Sequence, residues 1–287
     1  MNGRDDRWKR VLRDGLRPPP RRPQLTTTGE KPWVRAEPSG ACPVPAAERD
    51  WIETWLAWCE RDFGVEAARR EVALPLPPLL PAGFTGGLAE VNRLVAGVCA
   101  VMDVDSDRLA VHCFEGPAPD ELPARPRERH RTVGTYRKVL GRSLIELDLR
   151  EAADPAAFAA IIAHELGHVR LLGERRIDGI DVDHERLTDL LTVFLGMGVF
   201  NANAAYRFTR SASGFSVLPL GDLTERMLTG NALDPTHHLG YLSEREFGYA
   251  LACWCRQRGE SDPPWAARLN SGARAVFQQG LRYLASR

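Results

Sequence analysis

The chain lacks three features that would assign it to a broad class at once. It has no excess charge, since 38 basic residues balance 38 acidic ones, which argues against wholesale nucleic-acid binding. Its N-terminus has charged residues where a signal peptide needs an apolar core. Its longest apolar run, Leu190 to Phe200, is interrupted by Thr192 and two glycines and falls well short of the roughly 20 residues that span a bilayer. We expect that run to form a buried helix and the protein not to contact membranes.

Cysteine pairs and the motifs of other enzyme classes are also missing. The six cysteines contain no CxxC pair and no tight framework, a pattern that favours a reducing compartment and predicts a cytoplasmic protein. There is no internal repeat, no phosphate-binding loop and no GxSxG segment. Phosphoryl transfer and serine hydrolysis therefore have no motif to support them. The hydrophobic content of 44% is ordinary for a globular protein.

The first part of the chain differs in composition from the rest. Residues 1–24 hold most of the local basic excess, and prolines recur up to residue 45. This composition predicts a flexible, solvated tail over residues 1–45, with contact to nucleic acid or another acidic partner as the alternative. We expect residues 46–287 to form a single folded domain.

The most informative segment runs from Ile161 to His168 and reads IIAHELGH. It places His164 and His168 four residues apart around Glu165, which is the HExxH pattern of zinc hydrolases. On a helix, residues four apart project from one face. The spacing thus predicts two imidazole ligands for a metal, His164 and His168, with Glu165 beside them as a general base.

The residues around this motif support a helix. Asp154 suits the N-cap and Pro155 suits the first helical position, where a missing N–H costs nothing. Gly173 is placed to stop the helix. Apolar residues recur at helical spacing along one side: Phe158, Ile162, Leu166, Val169 and Leu172. We expect that side to be buried and the other to carry the ligands.

A zinc site needs a third protein ligand, and the next segment supplies candidates. Glu185 and Asp189 lie four apart on a second predicted helix. Glu185 can reach the metal. Asp189 can accept a hydrogen bond from the outer nitrogen of a ligand histidine, which is the ring nitrogen that does not bind the metal. Their neighbours Asp183 and His184, together with Glu174, remain alternative ligands at this point.

These two motifs resemble those of the gluzincin metallopeptidases, in which an HExxH helix is followed by a helix bearing ExxxD. The resemblance covers roughly residues 143–200 and implies one zinc ion per chain, with Glu185 as third ligand and Asp189 supporting His164. The connection from His168 to Glu185 is short for that group. The metzincin pattern HExxHxxGxxH fits worse, because Leu171 and Glu174 replace its glycine and third histidine.

The motifs predict a reaction in which Glu165 takes a proton from a water that attacks a metal-polarised carbonyl. A further donor usually stabilises the oxygen that becomes negative. Candidates for this role are His237, His238, Tyr241 and Tyr249, and the sequence does not select among them.

The remaining pattern predicts a helix-rich α+β fold of the zincin-like type, with a small sheet beside the HExxH helix. Ser143 to Leu149 alternates in polarity and predicts a strand, either buried within that sheet or at its substrate-binding edge. Other predicted elements are helices over 47–63, 88–102 and 243–259, a strand over 109–114, a surface loop over 115–131 and a final helical region after 262.

Three functions are compatible with this pattern. The first is a zinc metallopeptidase that cuts a protein or peptide substrate. The second is a zinc-dependent amide hydrolase acting on a small molecule, because the same chemistry serves both. The third is a non-catalytic regulatory or binding module with a zincin-like fold. The presence of Glu165 argues against the third, since a structural zinc site needs no base and usually has four protein ligands.

Overall fold

The computed structural model describes residues 40–115, 134–178, 183–212 and 242–287. Residues 1–39 of the predicted tail and nearly all of the predicted loop over 115–131 lie outside these ranges. Residues 40–287 cluster as one contact unit. No helix in the described ranges is both long enough and apolar enough to cross a membrane.

Eight α-helices and three strands make up the described part of the chain. The helices are α1 (Ala46–Phe63), α2 (Val65–Ala68), α3 (Leu88–Met102), α4 (Pro155–His168), α5 (His184–Phe194), α6 (Gly198–Ala212), α7 (Glu244–Arg258) and α8 (Ser271–Ala285). The strands are β1 (Leu109–Phe114), β2 (Gly134–Val139) and β3 (Arg142–Asp148). The protein is thus helix-rich with a small sheet, as the α+β prediction expected.

The three strands form one sheet in the order β1-β3-β2. Strand β3 is central: it runs parallel to β1 and antiparallel to β2, with Tyr136 opposite Ile145. The strand predicted over 143–149 is therefore the buried alternative and not the edge. It ends at Asp148, whose carboxylate accepts a hydrogen bond from the Arg150 backbone N–H as a 3₁₀ turn begins.

The HExxH helix α4 is the central helix of the fold. It packs against α3, α5 and α6 and against strand β2, and every residue from Ala157 to His168 is buried. The apolar side is buried as predicted, and the side that carries His164 and His168 is buried as well, because it packs against α5. Alanine and glycine at many positions of α4 leave room for these close neighbours.

The predicted start of α4 is confirmed. The Asp154 carboxylate accepts a hydrogen bond from the Ala157 backbone N–H at 3.1 Å, and Pro155 occupies the first helical position. After His168 the chain continues as a π-helical turn, Val169–Gly173. Such wide turns often accompany functional sites because they change the direction of the helix end.

The apolar run from Leu190 to Phe200 is buried throughout but is not one helix. It divides between α5 and α6 at Gly196, which has a φ of 95°. A Cβ atom there would lie 2.8 Å from the Glu71 carbonyl oxygen. Backbone conformation and close contact thus both require glycine, and the run is divided at this residue.

Helices α7 and α8 pack against each other and complete the core behind α5 and α6. Helix α7 begins with the predicted capping box, in which the Ser243 hydroxyl accepts from the Glu246 backbone N–H and the Glu246 carboxylate accepts from Ser243. Cys253 and Cys255 are buried in this helix as free thiols.

Candidate metal centre

The two histidines of the HExxH motif lie in the last turns of α4, facing α5. Their rings are 4.8 Å apart between centroids and nearly perpendicular. Because both sit on the covered side of α4, little of either imidazole is exposed: 10% of the His164 side chain and 8% of the His168 side chain. Helix periodicity predicted their common face, and the packing of α5 encloses it.

Glu185 from the first turn of α5 closes this group. Its Oε2 atom lies 3.1 Å from His164 Nε2 and 3.5 Å from His168 Nε2. The three donor atoms, one from each residue, all lie within 4.8 Å of one another. We call this set the three-donor cluster. Since the Glu185 side chain is 30% exposed, the cluster is not sealed from solvent.

The three donor atoms lie close enough together to hold a metal ion. Around a tetrahedral zinc ion with ligands at about 2.0–2.1 Å, neighbouring donor atoms are separated by roughly 3.3 Å. The separations of 3.1 and 3.5 Å from Glu185 Oε2 fall on either side of that value. The bound of 4.8 Å on all three atoms is wider, so the two imidazoles would draw closer together around a bound zinc ion. Two imidazoles and one carboxylate are also a common donor set of catalytic zinc.

The outer nitrogen of His164 is held by Asp189. His164 Nδ1 donates to Asp189 Oδ1 at 2.8 Å, inside the protein. The other carboxylate oxygen of Asp189 accepts the Leu242 backbone N–H at 2.9 Å. The structure thus places Asp189 where the sequence predicted it. The sequence did not predict the second contact: the backbone N–H of Leu242, just before α7, also holds this carboxylate in place.

The outer nitrogen of His168 faces a different kind of partner, the Thr188 hydroxyl, at 3.2 Å. Thr188 is completely buried and lies on α5 one residue before Asp189. Its methyl group lies against Gly167, where an added Cβ would be only 2.6 Å from Thr188 Cγ2. The glycine inside the HExxH motif therefore lets α4 and α5 approach closely enough for these contacts.

Glu165 is buried on the other flank of α4, under the start of strand β2. A Cβ atom on Gly134 would lie 2.7 Å from Glu165 Oε1, so the carboxylate needs glycine above it. Burial, reinforced by the negative charge of Glu185 and opposed by His164, raises the pKa of Glu165 to about 7. A carboxylate with that pKa can accept a proton and release it again near neutral pH.

The charges inside the three-donor cluster are strongly coupled. Burial lowers the pKa of His164, but hydrogen bonds with Asp189 and Glu185 outweigh it, so that pKa lies well above the usual 6.5. Burial lowers the pKa of His168, which keeps its imidazole neutral. Although burial opposes it, the hydrogen bond with the charged His164 holds the pKa of Glu185 far below its usual range. A divalent cation at this point would replace the proton that His164 and Glu185 share.

The alternative ligands lie outside the three-donor cluster. The Glu174 carboxylate pairs with Arg170 and Arg176 beyond the π-helical turn. Asp183 precedes α5 and lies 3.8 Å from Arg186. His184 is closer, since its Nε2 atom lies 3.3 Å from Glu185 Oε1. It contacts the ligand carboxylate on the oxygen that faces away from the two other histidines.

The predicted oxyanion stabilisers are placed less favourably or lie outside the described residues. Tyr249 is buried in α7, and its hydroxyl donates to Glu53 Oε1 on α1 at 2.6 Å. That hydroxyl is therefore already engaged by a carboxylate that is not part of the three-donor cluster. His237, His238 and Tyr241 all fall in residues 213–241, which the structure does not describe.

Thr188, Gly167 and Gly134 contribute to the site but were not predicted. A signal for Thr188 was available, because His184 and Glu185 are followed four residues later by Thr188 and Asp189. Four polar residues at this spacing share one helix face. Here that face carries the third ligand, Glu185, together with side chains that contact each of the three ligands. The two glycines had no such signal, since their role depends on contacts with other elements.

Comparisons of the chain with protein-family models, with curated proteins and with solved structures find no match. The resemblance to gluzincins therefore depends on the two sequence motifs alone.

Proposed function

We propose that this chain is a zinc-dependent metallopeptidase of the zincin-like fold. The observation that carries the proposal is the convergence of His164, His168 and Glu185 beside the buried Glu165. Three ligands with an open side, next to a base, are the arrangement of a catalytic zinc site rather than a structural one, which usually has four protein ligands. When bound there, zinc would lower the pKa of a water and polarise a carbonyl group.

The residues of the chain then have distinct roles in amide hydrolysis. Glu165, whose pKa is about 7, accepts a proton from the attacking water and passes it to the leaving amine. Asp189 orients His164 through a hydrogen bond of 2.8 Å. Gly134 leaves room for the Glu165 carboxylate, because a Cβ atom there would lie 2.7 Å from Oε1.

Strand β2 supports a peptide over a small molecule as the substrate. It begins at Gly134 beside Glu165 and is an edge of the sheet formed by the three described strands. An extended peptide can pair with such an edge through its backbone, which brings its scissile bond toward the base. We propose a soluble, cytoplasmic enzyme acting on peptides or proteins by this route.

Zinc content measured by elemental analysis tests the metal site. We expect about one zinc per chain in the wild type and in E165Q, and none in H164A, H168A or E185A. E174A is the matched control, because it removes a nearby carboxylate that pairs with Arg170 and Arg176. Loss of zinc in E174A but not in E185A would show that the ligand assignment is wrong.

Hydrolysis of a peptide library tests the activity. The zinc-loaded wild type should cut peptides, and E165Q should lose at least about 100-fold of that activity while retaining zinc, since general-base catalysis contributes roughly 10²–10⁴-fold. Equal activity in E165Q would rule out the proposed base. Cleavage of small amides without cleavage of any peptide would favour the amide hydrolase instead.

A further inference from the structure

Thr188 makes two hydrogen-bonding contacts with a single hydroxyl group. Its Oγ1 atom lies 2.6 Å from the His184 carbonyl oxygen and 3.2 Å from His168 Nδ1. The residue is completely buried, so water does not compete for either contact. Both contacts therefore form at the same time, and the direction of one hydrogen bond determines the direction of the other.

The direction of each hydrogen bond follows from the donors available. A carbonyl oxygen only accepts, so the hydroxyl proton of Thr188 points to His184. The oxygen of Thr188 is then left as an acceptor for His168, and the proton of the neutral imidazole must sit on Nδ1. This leaves the lone pair on His168 Nε2, which is the nitrogen that lies 3.5 Å from Glu185 Oε2 in the three-donor cluster.

Packing of the methyl group fixes the rotamer of Thr188. The methyl carbon Cγ2 lies against Gly167, in the space that a Cβ atom there would occupy. Exchanging the methyl and hydroxyl positions would turn the oxygen away from both His168 and His184. Packing against α4 and hydrogen bonding within α5 thus select the same side-chain conformation.

The two imidazoles consequently have partners of different charge. His164 is held by a carboxylate, Asp189, whereas His168 is held by a neutral hydroxyl. With a divalent cation bound, Glu185 and Asp189 would already balance its two positive charges, and Glu165 is a third carboxylate beside the site. A further carboxylate in place of Thr188 would add an uncompensated negative charge to a buried site, which is costly.

We infer that Thr188 is a positioning residue that fixes the tautomer and orientation of His168 for metal binding. It does for His168 what Asp189 does for His164, but without a charge. The inference rests on the proposed function, because it assumes that His168 is a zinc ligand. It assigns to this threonine a role that neither helix packing nor the local backbone hydrogen bonds would require.

Two matched variants of the full chain separate the hydroxyl from the shape of the side chain. T188V keeps the branched shape and removes the hydroxyl, whereas T188S keeps the hydroxyl and removes the methyl group. Zinc dissociation constants are measured by competition with a chromophoric chelator. We expect T188V to bind zinc about 10- to 100-fold more weakly, the usual effect of losing an outer partner of a ligand. T188S should stay within about threefold of the wild type.

A second measurement reports the tautomer directly. Long-range proton–nitrogen correlation spectra of the zinc-free chain should show His168 as the Nδ1–H form in the wild type and in T188S. In T188V the two neutral forms should both be populated. A purely structural role for Thr188 would change the melting temperature of the zinc-free chain without changing this ratio.

The possible outcomes are distinguishable from failure of the proposed function. Zinc binding by T188V equal to that of the wild type overturns this inference and leaves the metal site intact. Equal weakening in T188V and T188S also overturns it, because the fit of the side chain and not its hydroxyl would then be responsible. A wild-type chain that binds no zinc overturns the proposed function, and this inference with it.

Discussion

Replacing Gly167 by alanine should separate the two helices that build the metal centre. The added Cβ atom would lie 2.6 Å from Thr188 Cγ2 and 3.3 Å from the Thr188 carbonyl oxygen. Carbon atoms in contact prefer about 3.5–4.0 Å. The Thr188 methyl group cannot rotate away without breaking the hydrogen bonds of its hydroxyl. The strain is therefore relieved by moving α5 away from α4, by roughly 1 Å.

A shift of that size should lower the unfolding free energy only slightly but disrupt the metal–ligand distances. Overpacking a core typically costs about 1–3 kcal/mol, and the higher helix propensity of alanine returns about 1 kcal/mol of it. The zinc-free G167A chain should therefore fold with its unfolding free energy lowered by no more than about 2 kcal/mol. Metal distances tolerate only about 0.2 Å, so Glu185 would move out of range of the two histidines.

The assay compares wild type, G167A, T188S and the double variant G167A/T188S. Zinc affinity is measured by chelator competition and stability by chemical denaturation in the presence of a chelator. We expect G167A to lose at least about 100-fold in zinc affinity, as removal of a ligand would. The double variant lacks the methyl group that blocks the new Cβ, so it should regain most of that loss. Such non-additivity is the signature of two residues in contact.

Two outcomes would refute this reasoning. If G167A binds zinc as tightly as the wild type, close contact between α4 and α5 is not what positions Glu185. If G167A loses zinc but T188S restores nothing, the loss comes from a change within α4 itself and not from the contact with Thr188.

Two further predictions concern the buried acid and the buried tyrosine. Burial raises the pKa of Glu165 to about 7 from the ordinary 4.5, so the folded zinc-free chain holds this proton more tightly than the unfolded chain. Its unfolding free energy should fall by about 3 kcal/mol between about pH 4.5 and pH 7 relative to E165Q, and denaturation curves that stay parallel over this range would contradict it. Because the Tyr249 hydroxyl donates to Glu53, Y249F should lose about 1.5–3 kcal/mol of stability. Its zinc content and peptide cleavage should be unchanged, and a selective loss of cleavage would instead place Tyr249 in the reaction.

Several parts of the site could be predicted because they depend on residues within two helical turns. The spacing of His164 and His168, and of Glu185 and Asp189, determines which side chains share a face of their helix. The cap formed by Asp154 likewise involves a neighbour only three residues away. Local geometry of this kind is the same in any fold that makes the segment helical.

Other parts were wrong or absent because they depend on contacts between elements. The apolar run from Leu190 to Phe200 predicts one buried helix, but the helix is interrupted at Gly196, where Glu71 from a distant segment approaches. Tyr249 was a candidate for the reaction until the packing of α7 against α1 placed its hydroxyl on Glu53. Hydrophobic periodicity carries no information about either neighbour.

The amino-acid order alone thus determined which residues could act together: two imidazoles and a base on one helix, and a carboxylate with its supporting acid on another. Only the tertiary structure decided that these two helices meet, that β2 and not β3 lies at the edge of the sheet, and that Thr188 completes the surroundings of His168. The physical reason is the separation along the chain of the residues that interact. Helix periodicity orients side chains about a single axis, whereas the distance between two axes depends on what every intervening residue, such as Gly167, leaves room for.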